Sequence, residues 1–176
     1  IENARLYAAE QNRVQQLDAL RATAADISAE LEISRLLQTI LGRAVSLLHA
    51  TGGELGLYNE STNQLDIVAS YNMGKDFTGT HMAMGEGAMG KAAENLTPLI
   101  IHDYQQWDGR SPQYVQGVWH TVMVSPLLVH GRLVGAIGIM DADPERYFNR
   151  SDLQLLTLFA QQSAIAVENA RLYQEA

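Results

Sequence analysis

Two periods alternate along this chain of 176 residues. From Ala4 to Leu31 there is neither Pro nor Gly, and Ala, Gln, Arg, Glu and Leu dominate, all good helix formers. Within that stretch Val14, Leu17, Arg21, Ala24, Ser28 and Leu31 recur at steps of three and four, flanked by Leu20 and Ile27. This is a weak heptad seam, interrupted by Arg21 and Ser28. Ser34 is an N-cap type, so a second helix is expected to begin there, with Leu36, Leu37, Ile40, Leu41, Ala44, Val45 and Leu48 on one broad face that reads as core.

From Gly53 to Asp141 the period shortens to that of strands. Leu55–Tyr58 and Leu65–Tyr71, separated by Glu60-Ser61-Thr62-Asn63, read as a hairpin. Thr80–Met84 and Leu99–His102 are candidates for short third and fourth strands. Trp119–Val129 and Leu133–Met140 are the longest, joined across His130-Gly131-Arg132. After Pro144 the helical period returns. Ser151-Asp152-Leu153-Gln154 reads as a capping box, and the helix it opens meets no Gly or Pro before Ala176. At about 39 Å for about 26 residues it is longer than a small sheet is wide, so its end is expected to protrude. The order helix, helix, strands, helix predicts an α+β domain: an antiparallel sheet with helices packed on one face. The other face is left to loops, with room for a ligand.

The first seven residues, Ile1-Glu2-Asn3-Ala4-Arg5-Leu6-Tyr7, return as Val167-Glu168-Asn169-Ala170-Arg171-Leu172-Tyr173. One near-copy at each end suggests a tandem array of similar domains joined through helices; the alternative is two similar helices that pair with each other. The expected division is a connecting helix over residues 1–31 and a domain over 32–176 that includes a C-terminal signalling helix. Composition narrows the chemistry. Twelve Lys and Arg against twenty Asp and Glu give a net charge of −8, the wrong sign for binding a phosphate backbone. No stretch reaches the ~18 to 20 apolar residues of a membrane span, and the N-terminus lacks the pattern of a secretion signal, so neither membrane contact nor nucleic acid is expected and the domain is placed in the cytoplasm. The absence of cysteine removes disulfides, thiolate zinc sites, iron–sulfur clusters, thiol catalysis and thioether-linked chromophores together.

Four motifs in order carry a resemblance: Gly85-Glu86-Gly87-Ala88-Met89-Gly90 opening a short helix, Val124-Ser125-Pro126-Leu127 on a strand, Gly131-Arg132-Leu133-Val134-Gly135-Ala136-Ile137-Gly138 across a hairpin, and Phe148 to Tyr173. Over residues 28 to 173 the chain resembles a GAF domain, the small-molecule sensing module of bacterial sensor histidine kinases, diguanylate cyclases and related regulators. The resemblance implies a central six-stranded antiparallel sheet, terminal helices that pair between subunits in a homodimer, adjacent GAF and output domains in the same chain, and a loop-covered pocket on the face opposite the helices.

Candidate chemistry is sparse. Gly85-x-Gly87-x-x-Gly90 matches a dinucleotide fingerprint in form, but only a short helix to about Asn95 follows before Pro98, so tight-turn packing or an anion held by the Gly87 and Ala88 N–H groups are the remaining readings. His49, His81, His102, His120 and His130 include no HxxxH or HxH pair, so no metal site is expected. Some GAF domains hold haem through one histidine, for which His81 or His120 are candidates; those that hold a bilin do so through cysteine, a route closed here. GAF-type methionine sulfoxide reductases also work through cysteine. Glu54, Asp66, Glu86 and Asp103 are scattered between elements, Ser125 has no base at a recognisable spacing, and the residues of cyclic-nucleotide GAF domains are not recognisable. No catalytic residue is therefore named, and the domain is not expected to be an enzyme.

The segment Asp103–Val118 carries Tyr104, Trp107, Asp108, Arg110 and Tyr114, with Ser111-Pro112 opening a short helix near Gln113–Gln116. It reads as a lid over a ligand or as a plug that fills the sheet face. Ligand-lining candidates are Tyr58, His81, Met84, Trp107, Trp119, Met123, Ser125 and Met140. The expected function is that of a regulatory module that dimerises through its terminal helices and signals to an output domain. The alternatives are a ligand-free structural spacer and a haem-based gas sensor.

Overall fold

The computed structural model describes residues 1–114 and 117–175. Helix α1 (Glu2–Leu47) leads into strands β1 (Gly52–Asn59), β2 (Gln64–Tyr71) and β3 (His81–Ala83); α2 (Gly87–Asn95) and β4 (Leu99–Ile101) follow. Two 3-10 turns, Tyr104–Gln106 and Pro112–Tyr114, cross to β5 (Thr121–Val129) and β6 (Arg132–Asp141), and α3 (Arg150–Glu175) ends the chain. The six strands form one antiparallel sheet in the order β3-β2-β1-β6-β5-β4, so the first and last long strands lie side by side at its centre. This is the α+β architecture expected, with α1 and α3 on one face.

Three local features depart from expectation. Ser34 starts no new helix: the residues on either side of the expected division at 31 and 32 lie in one helix, α1, of 46 residues. With no Gly or Pro to break it, the cost of a helical serine is a few tenths of a kcal/mol, too little to end a helix. The capping box of α3 lies two residues before the expected one. Asn149 Oδ1 accepts from the Asp152 N–H at 2.9 Å, and Asp152 Oδ2 accepts from the Asn149 N–H at 2.9 Å. Ser151 sits inside the first turn. The short lid helix is the turn Pro112–Tyr114; the rest of the segment expected to be helical, 115–116, lies outside the described residues.

Each face of the sheet carries its own core. Leu37, Leu41, Ala44 and Val45 of α1 and Leu156, Ala160, Ala164 and Val167 of α3 pack on Leu55, Met123, Leu127, Ile137 and Ile139. On the opposite face Met89, Ala92 and Ala93 of α2 join Leu65, Ile67, Met82, Tyr104, Tyr114, Trp119, Val122, Val124 and Met140. Gly138 makes this second layer close: a side chain there would press on Met89 at 3.2 Å. The β5–β6 turn has positive φ at both His130 and Gly131, 50° and 75°, the geometry of a two-residue type I′ hairpin.

Residues 1–28 are exposed, and the first buried side chain of α1 is Leu37. Val14, Leu17, Leu20, Ile27 and Leu31 thus stand in solvent along a free helix. At the other end α3 runs past the sheet, with Leu172 and Tyr173 exposed. The helix cap is testable: Asn149→Ala should lower unfolding free energy by about 1 kcal/mol in urea titrations, whereas Ser151→Ala should change it by less than about 0.5 kcal/mol. The reverse order would restore Ser151 as the cap.

Candidate functional site

Alternation along a strand sends neighbouring side chains to opposite faces, and in β1 this places Leu55 against the helices and Glu54 against the loops. Glu54 is 1% exposed, on the central strand, opposite Gly138 of β6. Its carboxylate accepts a hydrogen bond from the Tyr114 hydroxyl at 2.8 Å, which ties the last turn of the lid to the centre of the sheet. The Tyr114 ring stacks on Phe77, centroids 4.6 Å apart. Nearby, Ser111 Oγ donates to Glu86 Oε2 at 3.1 Å, bringing a second carboxylate to the rim. Gln105 Nε2 donates to the carbonyls of Gly117 and Trp119 at 2.9 and 2.8 Å, fastening the lid to the start of β5.

These side chains enclose a cavity of about 20 Å³, bounded by Glu54, Met82, Gly87, Ala88, Met89, Tyr104, Ser111, Tyr114, Trp119, Val122 and Met140. That is space for about one water-sized molecule. Among the described residues no Lys or Arg lines it. Burial raises the Glu54 carboxyl from its ordinary 4.5 to about 7, against the lowering effect of the Tyr114 hydrogen bond. Burial, with Glu54 alongside, also holds the Tyr114 hydroxyl well above the usual phenol range, so it stays a neutral donor.

Of the eight lining candidates, Trp119 and Met140 reach this cavity. Met123 and Ser125 do not. They share the helix-facing side of β5 with Leu127, whereas Val122 and Val124 face the lid; in a strand buried on both faces, composition carries no sign of which residues point where. Tyr58 lines an open groove at the end of the sheet with Asp66 and Arg171, its hydroxyl donating to Asn63 Oδ1 at 2.8 Å. His81 projects outward from β3, 60% exposed, with Nδ1 2.7 Å from Asp66 Oδ1. Met84 packs at the margin of the lid-side core. Trp107 lies over the outside of the lid, 5.9 Å from Tyr104 and with Lys91 Nζ 5.6 Å from its ring centre.

The segment is therefore part lid and part plug: Tyr104, Tyr114 and Trp119 fill the face while Trp107 covers it. His120 packs edge-on to Tyr147 at 5.0 Å, so neither histidine considered for haem stands in the cavity wall. Gly87 and Ala88 do reach the wall, but next to Glu54 and Glu86, whose charge opposes an anion there. Among the described residues no group of three His, Cys, Asp or Glu could hold a metal ion. Glu54 was legible only as one of several scattered carboxylates; the signal that it matters is its place inside the apolar run Gly52–Leu57, where every neighbour is a strand residue of the core.

A sheet of this order with a lid opposite its terminal helices is matched by a known family. The model of the GAF domain fits residues 30–168. The chain belongs to the GAF-domain family. Its fold is similar to the GAF domain of a phosphoenolpyruvate-protein phosphotransferase from Coxiella burnetii, with TM-score 0.74 and 17% identity over 82% of this chain and 87% of that one. It is also similar to the second GAF domain of DevS from Mycobacterium smegmatis, with TM-score 0.67 and 19% identity over 81% of this chain and 98% of the other. A free methionine-R-sulfoxide reductase from Neisseria meningitidis shares the fold as well, with TM-score 0.69 and 14% identity over 82% and 87% of the two chains. GAF domains are a family of signalling and ligand-binding modules, and some structural neighbours are enzymes. Among the described residues of this GAF domain no helix is long and apolar enough to cross a membrane.

Glu54 makes stability depend on pH. Its folded value, about 7, exceeds the 4.5 of an unfolded chain, so the folded state holds the extra proton between them. The groups around the pair are the neutral hydroxyls of Tyr104 and Tyr114, Glu86 through Ser111, and Arg110, whose charge acts on Tyr104. As pH rises from about 4.5 to about 7 the buried charge should cost on the order of 3 kcal/mol, with no further loss above. In chemical denaturation the stability of Glu54→Gln relative to the parent should rise by that amount across the window. A difference that does not vary with pH would show that Glu54 is not the buried acid described.

Proposed function

We propose that this GAF domain is a regulatory module in which the lid-covered face takes a small molecule and the terminal helices carry the response to an output domain, as in a sensor histidine kinase or diguanylate cyclase. The observation that supports it is the Glu54–Tyr114 pair: a carboxyl buried in an apolar face and held by a loop residue is a poor core and a good receptor. Such modules act in the cytoplasm. A ligand that favours one lid arrangement by ~1 to 3 kcal/mol would bias helix packing by the same amount.

The helices offer the surface for that response. Between α1 and α3 an apolar groove is lined by Ile33, Leu36, Ile40, Ile165, Ala166, Ala170 and Tyr173, and Leu36 and Ile165 are exposed in it. Together with the seam Val14, Leu17 and Leu31 it suits pairing with a second copy of the chain through parallel or antiparallel helices. The terminal repeats do not pair with each other: Val167–Tyr173 lies beside Ala29–Leu36, about 33 Å along α1 from Tyr7. Val167 is 2% exposed and Glu168 accepts from Arg132 Nη2 at 3.1 Å, while Ile1 and Leu6 are exposed. This contrast favours the reading that a preceding domain of the same kind covers the first copy. The small cavity favours a second reading, a ligand-free spacer and dimerisation element.

Melting temperature against a panel of metabolites, nucleotides and haem separates the two. A ligand at 100 times its Kd stabilises the folded state by about 2.7 kcal/mol and must raise the midpoint; no shift across the panel would leave the spacer, and a Soret band with haem would mark a gas sensor. For the interface, the pair Leu36→Glu with Ile165→Glu should weaken self-association at least about 100-fold in sedimentation equilibrium. Leu155 is unsuited to that test because it packs on the domain's own core. An unchanged dimer would place the interface elsewhere.

A further inference from the structure

Resting on the reading of the lid face as a ligand site, we propose that its ligand is a small primary amine with an aromatic or branched apolar body, whose ammonium replaces the Tyr114 hydroxyl on Glu54 and whose body replaces the Tyr114 ring against Phe77.

Charge sets the ligand class. Glu54 is enclosed, its side-chain partner is a neutral hydroxyl at 2.8 Å, and no Lys or Arg among the described residues lines the cavity. A buried carboxylate without a counter-charge is among the least favourable groups a core can hold, and a hydrogen-bonded cation relieves it. Glu86, held by Ser111 at 3.1 Å, adds a carboxylate of the same sign and turns anions away. Met82, Met89 and Trp119 make much of the rest of the wall apolar and polarisable, and an indole ring in such a wall suits a nearby ammonium.

Space sets the size. A cavity of about 20 Å³ admits no organic molecule while Tyr114 is in place, so the ligand must occupy what Tyr114 vacates. The tyrosine is carried on a three-residue turn whose outside anchor is Gln113 Nε2 donating to the His81 carbonyl at 2.8 Å. Its ring stacks on Phe77 at 4.6 Å, and that surface, once uncovered, is a seat for another ring of equal size. Tyr114 thus acts as an internal stand-in that a better donor displaces, and its displacement is the movement the lid would report.

The test is a titration of the chain at pH 7.5 with 2-phenylethylamine, 2-phenylethanol and 3-phenylpropanoate, followed by tryptophan fluorescence and melting temperature. The amine should bind at least about tenfold more tightly than the alcohol, and the carboxylate should bind more weakly still. Glu54→Gln should weaken the amine at least about tenfold and weaken the alcohol far less, while Tyr114→Phe, which removes the competing hydroxyl, should tighten the amine several-fold. Should Glu54→Gln fail to fold, the Tyr114→Phe comparison carries the test alone. Equal affinity for amine and alcohol, preference for the carboxylate, or full amine affinity in Glu54→Gln would overturn the amine class while leaving a ligand site. Failure of all three probes on both the parent and Tyr114→Phe would also overturn it, and the sensing reading would then rest separately on the metabolite panel.

Discussion

The two central strands are buried on both faces, and every consequence for function follows from that constraint. In β1, Leu55 packs on the helices and Glu54 under the lid; in β6, Ile139 packs on the helices and Met140 under the lid. A strand is one covalent object with alternating side chains, so a displacement demanded on one face is delivered to the other. A sheet with one solvated face would let such a strain dissipate in water. Here both faces of the central strands are packed against protein.

The lid-side core is built to be less settled than the helix-side core. Leu, Ala and Val dominate against α1 and α3, whereas the opposite layer mixes methionines, aromatic rings and a buried acid. Methionine adapts to changed surroundings at low cost, and the acid is stable there only when it is neutral or partnered. The rule that a core excludes ionisable groups is broken at Glu54, and Glu54 faces the loop that carries Tyr114. Coincidence of these features supports the proposed reading of this face as a receptor over that of a second hydrophobic core.

Much of the architecture was legible in the pattern of residues, and the losses have physical causes. Strands β1, β2, β5 and β6 stood out because turn residues punctuate apolar runs, and His130-Gly131 announces its hairpin through the positive φ both adopt. Helix ends were less legible, since Ser34 and Ser151 are tolerated inside helices and the true cap, Asn149 with Asp152, uses equally ordinary residues. The faces were the largest loss. Register shifts beside Leu55 and Leu127 leave Val68 and Val134 as extra residues, which reverse the alternation partway along β2 and β6. In doubly buried strands polarity does not mark direction, so Met123 and Ser125 were indistinguishable from Val122 and Val124. Glu54 was the exception that polarity did mark, and only the closure of Tyr114 over it gives that mark a meaning.

How the lid face reaches the helices is visible beyond the cavity wall. Met140 is followed by Asp141, whose Oδ1 accepts from Thr51 Oγ1 at 3.2 Å and from the Asp143 N–H at 2.9 Å, and whose backbone carbonyl accepts from the N–H of His120, next to Trp119. Asp141 Oδ2 lies 3.6 Å from Arg146 Nη1, and the same guanidinium donates to the carbonyls of Leu48 and His49 at 2.7 and 3.0 Å. Those carbonyls belong to the C-terminal end of α1, where unpaired acceptors need a donor and the helix dipole favours a cation. Of the cavity wall, Met140 is thus separated by one residue, Asp141, from the guanidinium that caps α1, and Trp119 by two, His120 and Asp141. The same Arg146 lies over the ring of Phe148, just before α3 begins. In the proposed sensor a lid movement that shifts Met140 would be felt at a bracket gripping the end of one terminal helix and the start of the other, the two helices that line the exposed apolar groove.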